Sequence, residues 1–169
     1  RLWAATLFED ALPSAEEFGS PRAWAFCLLG LDAYCSAIPD NDLALRLRGL
    51  LADRLICLLA SVESENWVWF EEGLAYDNAR LPQALLLTGI ATGTSAYTNA
   101  GLKTLRWLVA RQTGPSGVFR PVGTQGFGDK RAAPRLFDQQ PLEATATISA
   151  CLAAWQADGD PKWKAEALH

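Results

Sequence analysis

The hydrophobic and polar positions along the chain predict six helices of two kinds. Three segments are apolar almost all round, and they span about residues 20–38, 79–91 and 140–157. The other three keep their polar residues on one stripe, and they span about residues 41–62, 95–112 and 161 onward. A helix that is apolar all round is buried on both sides, whereas a helix with one polar stripe faces water. The pattern therefore predicts an inner and an outer layer of helices.

Charged side chains identify the water-facing side of the outer helices. Asp42, Arg46 and Asp53 are four and seven residues apart, so they share one face of the second helix. Lys103 and Arg106, three residues apart, likewise share one face of the fourth helix. We expect all five side chains to be exposed.

The predicted inner helices begin at a regular interval. Their starts, near residues 20, 79 and 140, are about sixty residues apart, and the turns at 93–97 and 159–163 resemble each other. This is typical of a helical-hairpin repeat, and six such hairpins would close a ring in about 360 residues. We therefore expect an all-α fold of hairpins in two layers, about half of an (α/α)6 toroid. The alternative is an open α-solenoid.

Composition narrows the class of protein. The chain has 169 residues, of which 50% are hydrophobic and 20% charged, with a net charge of -4. A single domain of this size, here 1–169, buries roughly 70% of its unfolded surface. This hydrophobic content and the net negative charge exclude a disordered tail, a coiled coil and a basic nucleic-acid-binding module. The longest uncharged run, 81–102, is interrupted by Gly89 and Gly93, so we expect no membrane span.

The four cysteines show no metal-ligand spacing, and His169 is the only histidine. We therefore expect neither a metal nor another cofactor. Cys27 and Cys35 lie on one helix about 12 Å apart, which is too far for a disulfide. Small apolar core residues in a reducing compartment are the simplest interpretation, so we expect a cytoplasmic protein.

The ends of the sequence suggest a piece of a longer protein. The chain begins at Arg1, contains no methionine and stops at His169 within a helical pattern. The first and last hairpins would then expose apolar flanks, including Leu152 and Trp155. We expect a dimer through these exposed hairpin faces.

The connections between the helices differ in length. Links from an inner to an outer helix take about two to five residues, whereas the links back to the next inner helix span 63–78 and 113–139. Both long loops end where an inner helix begins, so they should meet on one rim of the fold. Long loops in a compact domain are usually functional, so this rim is the expected site. Within the second loop, 117–123 predicts a short strand.

Two tryptophans in the first loop indicate a carbohydrate ligand. Trp67 and Trp69 alternate with Asn66 and Val68, so an extended backbone would send both rings to one side. Aromatic rings bind sugar rings by stacking, and carboxylates and amides bind the hydroxyl groups. The alternative is that the two rings form a small core beneath the loop.

The openings of the second and third inner helices look alike. Each places an aromatic residue, a carboxylate and an amide before the helix: Tyr76, Asp77 and Asn78 in the first opening, Phe137, Asp138 and Gln139 in the second. Asp77, Asn78 and Asp138 could instead be ordinary N-caps, with Glu143 as the third-position partner of a capping box. Capping needs fewer polar residues than each opening carries, so we expect a further role.

The stretches 69–85 and 137–144, which contain these openings, resemble a helical domain of the six-hairpin glycosidase-like superfamily. Domains of this kind accompany some bacterial group 1 glycosyltransferases. The resemblance covers about 64–169, whereas about 1–63 match only as hairpin scaffold. It implies a toroid similar in shape to unsaturated glucuronyl hydrolases and sugar 2-epimerases, with a carbohydrate site on the rim. It also implies a glycosyltransferase domain in the same full-length chain.

Glycoside hydrolysis at this rim would need one protonated acid and one ionised carboxylate. Asp77 and Asp138 precede inner helices, where free N–H groups favour the anion, so each suits a general base. Glu65 and Glu71 lie among aromatic residues, where burial favours the protonated form, so one of them suits a general acid. The domain would be glycoside hydrolase-like if it is catalytic.

The expected substrate is a glycan or a sugar. Arg80 and Arg120 suit a carboxylate or a phosphate group on it. The full set of candidate substrate-binding residues is Trp67, Trp69, Tyr76, Asn78, Arg80, Phe119, Arg120, Gln139, Gln140 and Glu143.

Two other classes of function also fit parts of the sequence. A non-catalytic domain that binds a glycan, or packs against a partner domain, would use the same aromatic residues and carboxylates. The stretch 112–119 resembles the glutamine-to-aromatic repeats of isoprenoid cyclase toroids, but it has one residue too many and no Asp-rich motif accompanies it.

Overall fold

The computed structural model of the chain describes residues 2–124, 130–131, 133 and 137–168. Over these ranges the secondary structure is helical, and no strand is present. A short 3-10 helix spans Leu12–Glu17. The α-helices are α1 (Leu2–Ala11), α2 (Pro21–Ala37), α3 (Asp42–Val62), α4 (Arg80–Thr92), α5 (Ser95–Arg111), α6 (Pro141–Asp158) and α7 (Lys162–Leu168).

The helices pack as successive hairpins. α4 lies between α2 and α6, and each of these three helices packs against the helix that follows it in the chain. The buried positions of α4 recur on more than one side, from Leu81 and Pro82 to Thr88 and Gly89. The predicted inner set therefore lies side by side, with α4 in the middle.

The predicted outer surfaces are confirmed. Asp42, Arg46, Asp53, Lys103 and Arg106 are all exposed. Their helices, α3 and α5, bury leucines on the opposite face. One polar stripe on a leucine-rich helix was therefore a sufficient signal of which side faces water.

Two glycines allow α4 and α5 to approach closely. A Cβ atom on Gly89 would lie 2.7 Å from the backbone nitrogen of Thr98, and one on Gly101 would lie 2.7 Å from Leu86 Cγ and 3.0 Å from the carbonyl oxygen of Pro82. Contacts of 2.7 Å are too short for a real Cβ atom, so another side chain at either position would force the two helices or their side chains to shift. This pair of glycines fixes the spacing within the central hairpin.

The turns after α4 and α6 repeat the same backbone conformation. Gly93 and Gly159 follow these helices with φ of 67° and 72°, the left-handed conformation that ends many helices. Both turns lead at once into the next helix, as the similarity of 93–97 and 159–163 predicts.

The first helix was not predicted from the sequence. α1 packs against α2: Phe8 stacks on Tyr34 with ring centroids 4.9 Å apart, and Tyr34 donates a hydrogen bond to Glu9. Gly30 gives the Phe8 ring room on α2. The chain therefore adds a helix before the first hairpin.

The predicted strand over 117–123 is wrong. Phe119 pairs with Thr113 in an isolated bridge, and the Arg120 N–H donates to the Gln112 carbonyl at 2.6 Å. A tight turn, in which Gly114 N–H donates to the Val118 carbonyl at 2.9 Å, brings these residues back against the end of α5. Without a neighbouring strand, the extended residues make only this local pairing.

All four cysteines are free, but they are not all in the core. Cys35 and Cys151 are buried and Cys27 is half-buried, whereas Cys57 is exposed. The prediction of four core cysteines is therefore wrong at Cys57, which lies on the outer side of α3.

In the described part of the chain, we find no helix that combines the length and the apolar character needed to cross a membrane.

The flank of α6 carries an exposed apolar stripe at helical spacing: Ile148 is 43%, Leu152 44% and Trp155 37% exposed. The predicted exposure of Leu152 and Trp155 is confirmed.

Candidate functional site

The two tryptophans of the first loop lie inside the core. Trp67 and Trp69 are 3% and 0% exposed. Both pack on Trp107 of α5, with ring centroids 4.9 Å and 5.6 Å away. The rings do point to one side, but their faces are covered by protein. The alternative interpretation, a small core beneath the loop, describes these residues, and the expectation that they stack on a sugar is not supported.

Arg111 closes this small core from outside. Its guanidinium lies 3.7 Å from the centroid of the Trp107 ring and donates a hydrogen bond to the Asn66 carbonyl at 3.0 Å. Burial lowers the pKa of this guanidinium. The start of the first loop is thereby anchored on α5.

A buried arginine that the sequence analysis did not single out organises the end of the same loop. Arg22 is the second residue of α2 and is 5% exposed. It donates to the Tyr76 carbonyl at 2.6 Å, to Glu71 Oε2 at 2.5 Å and to Asn78 Oδ1 at 3.3 Å. The candidate acid Glu71 is therefore held in an ion pair with the scaffold. The available signal was a lone arginine in the first turn of an otherwise apolar helix.

Asn78 does not cap its own helix. It is fully buried, its Oδ1 accepts from the Ala75 N–H at 3.0 Å, and its Nδ2 donates to the Ala75 carbonyl at 2.6 Å. Ala79 occupies the N-cap position of α4 and makes no side-chain capping bond. Asn78 instead closes the turn before the helix.

Glu143 joins the two openings. It is the third residue of α6 and is 1% exposed, yet its carboxylate accepts hydrogen bonds from the first opening. The donors are the Asp77 N–H, the Asn78 N–H at 3.4 Å and the Asn78 amide at 3.1 Å. Burial raises the pKa of Glu143, and these donors partly oppose the effect. Glu143 thus caps the neighbouring opening, and the alternative interpretation, a capping box within α6, does not describe its contacts.

The aspartates of the two openings share an unusual backbone conformation. Asp77 has φ of 50° and Asp138 has φ of 60°, in the left-handed region that few residues other than glycine adopt. Strained residues of this kind cluster at functional sites. The similarity of the two openings thus extends from sequence to backbone geometry.

The side chains of these two aspartates differ in their surroundings. Asp77 is largely buried, and its Oδ1 lies 3.7 Å from Arg80 Nε. Arg80 also donates to Gln83 Oε1 at 2.8 Å. Asp138 is exposed, and its carbonyl accepts from the Thr124 N–H at 3.0 Å.

An exposed aromatic ring precedes each aspartate. Tyr76 is 47% exposed and Phe137 is 73% exposed. The Arg22 guanidinium lies 5.2 Å from the centroid of the Tyr76 ring. Gln139 and Gln140 follow Asp138 and are also exposed. The aromatic surface available to a ligand is therefore at the openings, and not at Trp67 and Trp69.

The two long loops meet, as the sequence predicts. The Arg131 N–H donates to the Glu72 carbonyl at 2.6 Å, and the Arg131 guanidinium binds the Glu72 carboxylate at 2.8 Å and 3.3 Å. Arg131 lowers the pKa of Glu72 through this hydrogen-bonded contact. Because Glu72 belongs to the first loop and Arg131 to the second, the two loops contact each other at this ion pair.

Other predicted site residues lie elsewhere. Glu65 is exposed in the turn closed by the Ser64 and Trp67 bridge. Phe119 lines a cavity of about 230 Å³ on the α6 flank, and Arg120 is half-buried beside the end of α5. A separate cleft of about 510 Å³ lies between α5 and α7, lined by Arg106, Lys162 and Trp163 among others.

The structure thus brings one compact set of residues together. We call Arg22, Tyr76, Asp77, Asn78 and Glu143 the opening cluster. Arg22, Asn78 and Glu143 are buried, Asp77 is partly buried, and Tyr76 is exposed. In the described ranges, no group of three histidine, cysteine or acidic side chains is placed to hold a metal ion.

Comparisons of the chain with models of protein families, with curated proteins and with solved structures gave no match.

Proposed function

We propose that the chain is a carbohydrate-binding domain of the glycosidase-like toroid type, with its site at the two openings. The observation that carries this proposal is the matched pair of left-handed aspartates, each preceded by an exposed aromatic residue. A repeated ring and carboxylate suit a repeated ligand, because each sugar unit offers an apolar face and several hydroxyl groups.

The chemistry of each opening supports a sugar ligand. The open faces of Tyr76 and Phe137 are available for stacking, while the carboxylates of Asp77 and Asp138 accept hydrogen bonds from hydroxyl groups. Arg80, beside Asp77, adds a donor that favours an acidic group on the glycan.

The packing of the helices supports the toroid. α2, α4 and α6 lie side by side, each with a helix on its outer side, and the turns after α4 and α6 share one conformation. Repetition of this step would bend the inner layer into a ring with all its openings on one rim. The proposal includes a glycosyltransferase domain in the same full-length chain and a cytoplasmic location.

Binding is favoured over hydrolysis by the state of the predicted acids. Of the two predicted acids, Glu71 is paired with Arg22, and Glu65 is exposed in the turn between Ser64 and Trp67 and is not buried among aromatic residues. Glu143 is buried beneath Asp77 and Asn78, so Asp77 and Asp138 remain as the carboxylates of the two openings. Hydrolysis would require these two to act as acid and base across one glycosidic bond.

The proposal is tested by titrating the protein with a panel of neutral and acidic oligosaccharides, followed by calorimetry. We expect at least one glycan to bind, and Tyr76→Ala to weaken that binding about tenfold because a stacking ring is lost. Trp3→Ala is the matched control, because Trp3 is a large aromatic residue that is 77% exposed on α1, a helix that contains neither opening.

Two results would contradict the proposal. One is the absence of binding across the whole panel. The other is an equal loss of affinity in Trp3→Ala and Tyr76→Ala, which would place the ligand elsewhere. Release of reducing sugar from a bound glycan would show hydrolysis in place of binding alone.

A further inference from the structure

We infer that Arg22 is the positioning residue of this site, holding the Tyr76 ring ready for a sugar; the inference rests on the proposed function. Arg22 comes from the first hairpin, whereas Tyr76 precedes the second. A residue on one hairpin thereby sets the geometry of a binding surface on the next.

Arg22 contacts Tyr76 in two ways, at its backbone and at its ring. Arg22 Nε donates to the Tyr76 carbonyl at 2.6 Å, which fixes the backbone. The guanidinium lies 5.2 Å from the ring centroid, which supports the ring from one face. Tyr76 is 47% exposed, so the ring remains open to solvent. A ring held in this way loses little freedom when a ligand stacks on it.

Hydrogen bonds connect Arg22 onward to Asn78 and Glu143. Arg22 Nη2 donates to Asn78 Oδ1 at 3.3 Å, and Asn78 Nδ2 donates to Glu143 Oε2 at 3.1 Å. All three side chains are at least nine-tenths buried. This chain of hydrogen bonds joins the starts of α2, α4 and α6, so the orientation of Tyr76 is set by three hairpins together.

The contacts of Arg22 require an arginine side chain. Its planar guanidinium presents five donors in a fixed fork, and here three of its nitrogens reach three different acceptors. A lysine could keep the ion pair with Glu71, but it has no planar face for the ring and no second nitrogen for the Tyr76 carbonyl. Arg22→Lys therefore keeps the positive charge beside Glu71 but removes the contacts of the guanidinium with Tyr76.

The experiment uses protein labelled with 3-fluorotyrosine, since the chain has three tyrosines and gives three fluorine resonances. Tyr76→Phe assigns the resonance of interest. We expect Arg22→Lys to shift or broaden the Tyr76 resonance while the other two stay in place. The same variant should bind the glycan identified above about tenfold more weakly.

Two further variants make the test specific. Glu71→Gln removes the ion pair but leaves the contacts from Arg22 to Tyr76, so the Tyr76 resonance should remain in place. Arg46→Lys is the matched control: its ion pair with Glu16, at 2.9 Å, is exposed and joins α3 to the 3-10 helix, so it involves neither opening. It should leave all three resonances and the affinity unchanged.

The outcome does not depend on whether a glycan binds. If the wild type binds none, the proposed function fails, while the fluorine spectra still decide whether Arg22 positions Tyr76. If Arg22→Lys does not fold, the double variant Arg22→Gln with Glu71→Gln replaces it, because it leaves no buried charge unpaired. An unchanged Tyr76 resonance in the folded variant would overturn the inference.

Discussion

At the scale of single residues, Glu143 connects stability to pH. Its pKa is raised by burial above the ordinary value of 4.5, so the folded state binds a proton more tightly than the unfolded chain does. The stability that Glu143 contributes is therefore greatest at low pH, and it falls as the pH rises through the raised pKa.

The corresponding prediction concerns Glu143→Gln. Glutamine has one acceptor oxygen for the three N–H donors from Asp77 and Asn78, so the variant should lose about 1–3 kcal/mol of stability. Because the wild type alone carries the penalty of ionising a buried group, this loss should be larger near pH 4 than near pH 7. Urea denaturation of both proteins at these two pH values measures it. A loss that is the same at both would contradict the role of the buried carboxylate.

Two substitutions of Asp138, which has a left-handed backbone conformation, distinguish a functional role of its side chain from a structural one. Asparagine tolerates the left-handed conformation about as well as aspartate does, whereas alanine costs roughly 1 kcal/mol there. Asp138→Asn should therefore keep the melting temperature and lose glycan binding, and any glycan turnover. Asp138→Ala should lose binding and stability together. Retained binding in the folded asparagine variant would return Asp138 to a structural role.

At the scale of elements, the central hairpin depends on its two glycines. Gly101→Ala should destabilise the protein by about 1–3 kcal/mol, because the new methyl group meets Leu86 and the Pro82 carbonyl. Gly49→Ala is the matched control in the middle of α3, where a Cβ atom meets nothing within 4 Å. It should stabilise the protein by about 0.5–1 kcal/mol. Thermal denaturation distinguishes the two, and equal effects would contradict the close packing of α4 on α5.

The elements also show what the sequence could predict. The helices from α2 to α7 follow from periodicity and turn residues, which act locally. α1 lies before the hairpin repeat, so the repeat gave no reason to expect it, although Phe8 and Leu12 have helical spacing. The prediction of a strand at 117–123 was wrong because a strand needs a neighbouring strand to pair with. The whole fold decides whether such a neighbour is present.

The candidate site was only partly predictable for the same reason. The likeness of the two openings was visible in the sequence, and their aspartates share one backbone conformation. The alternation of Trp67 and Trp69 with other residues indicated that both rings lie on the same side of the loop. It could not show whether that side faces the protein core or an open cavity. Arg22 and the contact of Glu143 with the neighbouring opening join residues 49 to 66 positions apart, and only packing brings them together.

At the scale of the whole molecule, the exposed flank of α6 predicts self-association. Ile148, Leu152 and Trp155 form one apolar stripe, so we expect dimers at raised protein concentration. Leu152→Glu should weaken dimerisation at least about tenfold, because a charge would be buried in the contact. Leu45→Glu, at a position 38% exposed on α3, is the control. Sedimentation equilibrium that shows a monomer throughout would contradict this prediction.

A map of amide chemical shifts during titration with a glycan locates the binding site directly. If sugars bind at the openings, the largest changes should fall at 75–80 and 138–143, the segments that Glu143 joins. Changes confined to the cleft between α5 and α7, or to the apolar flank of α6, would contradict a sugar site at the openings.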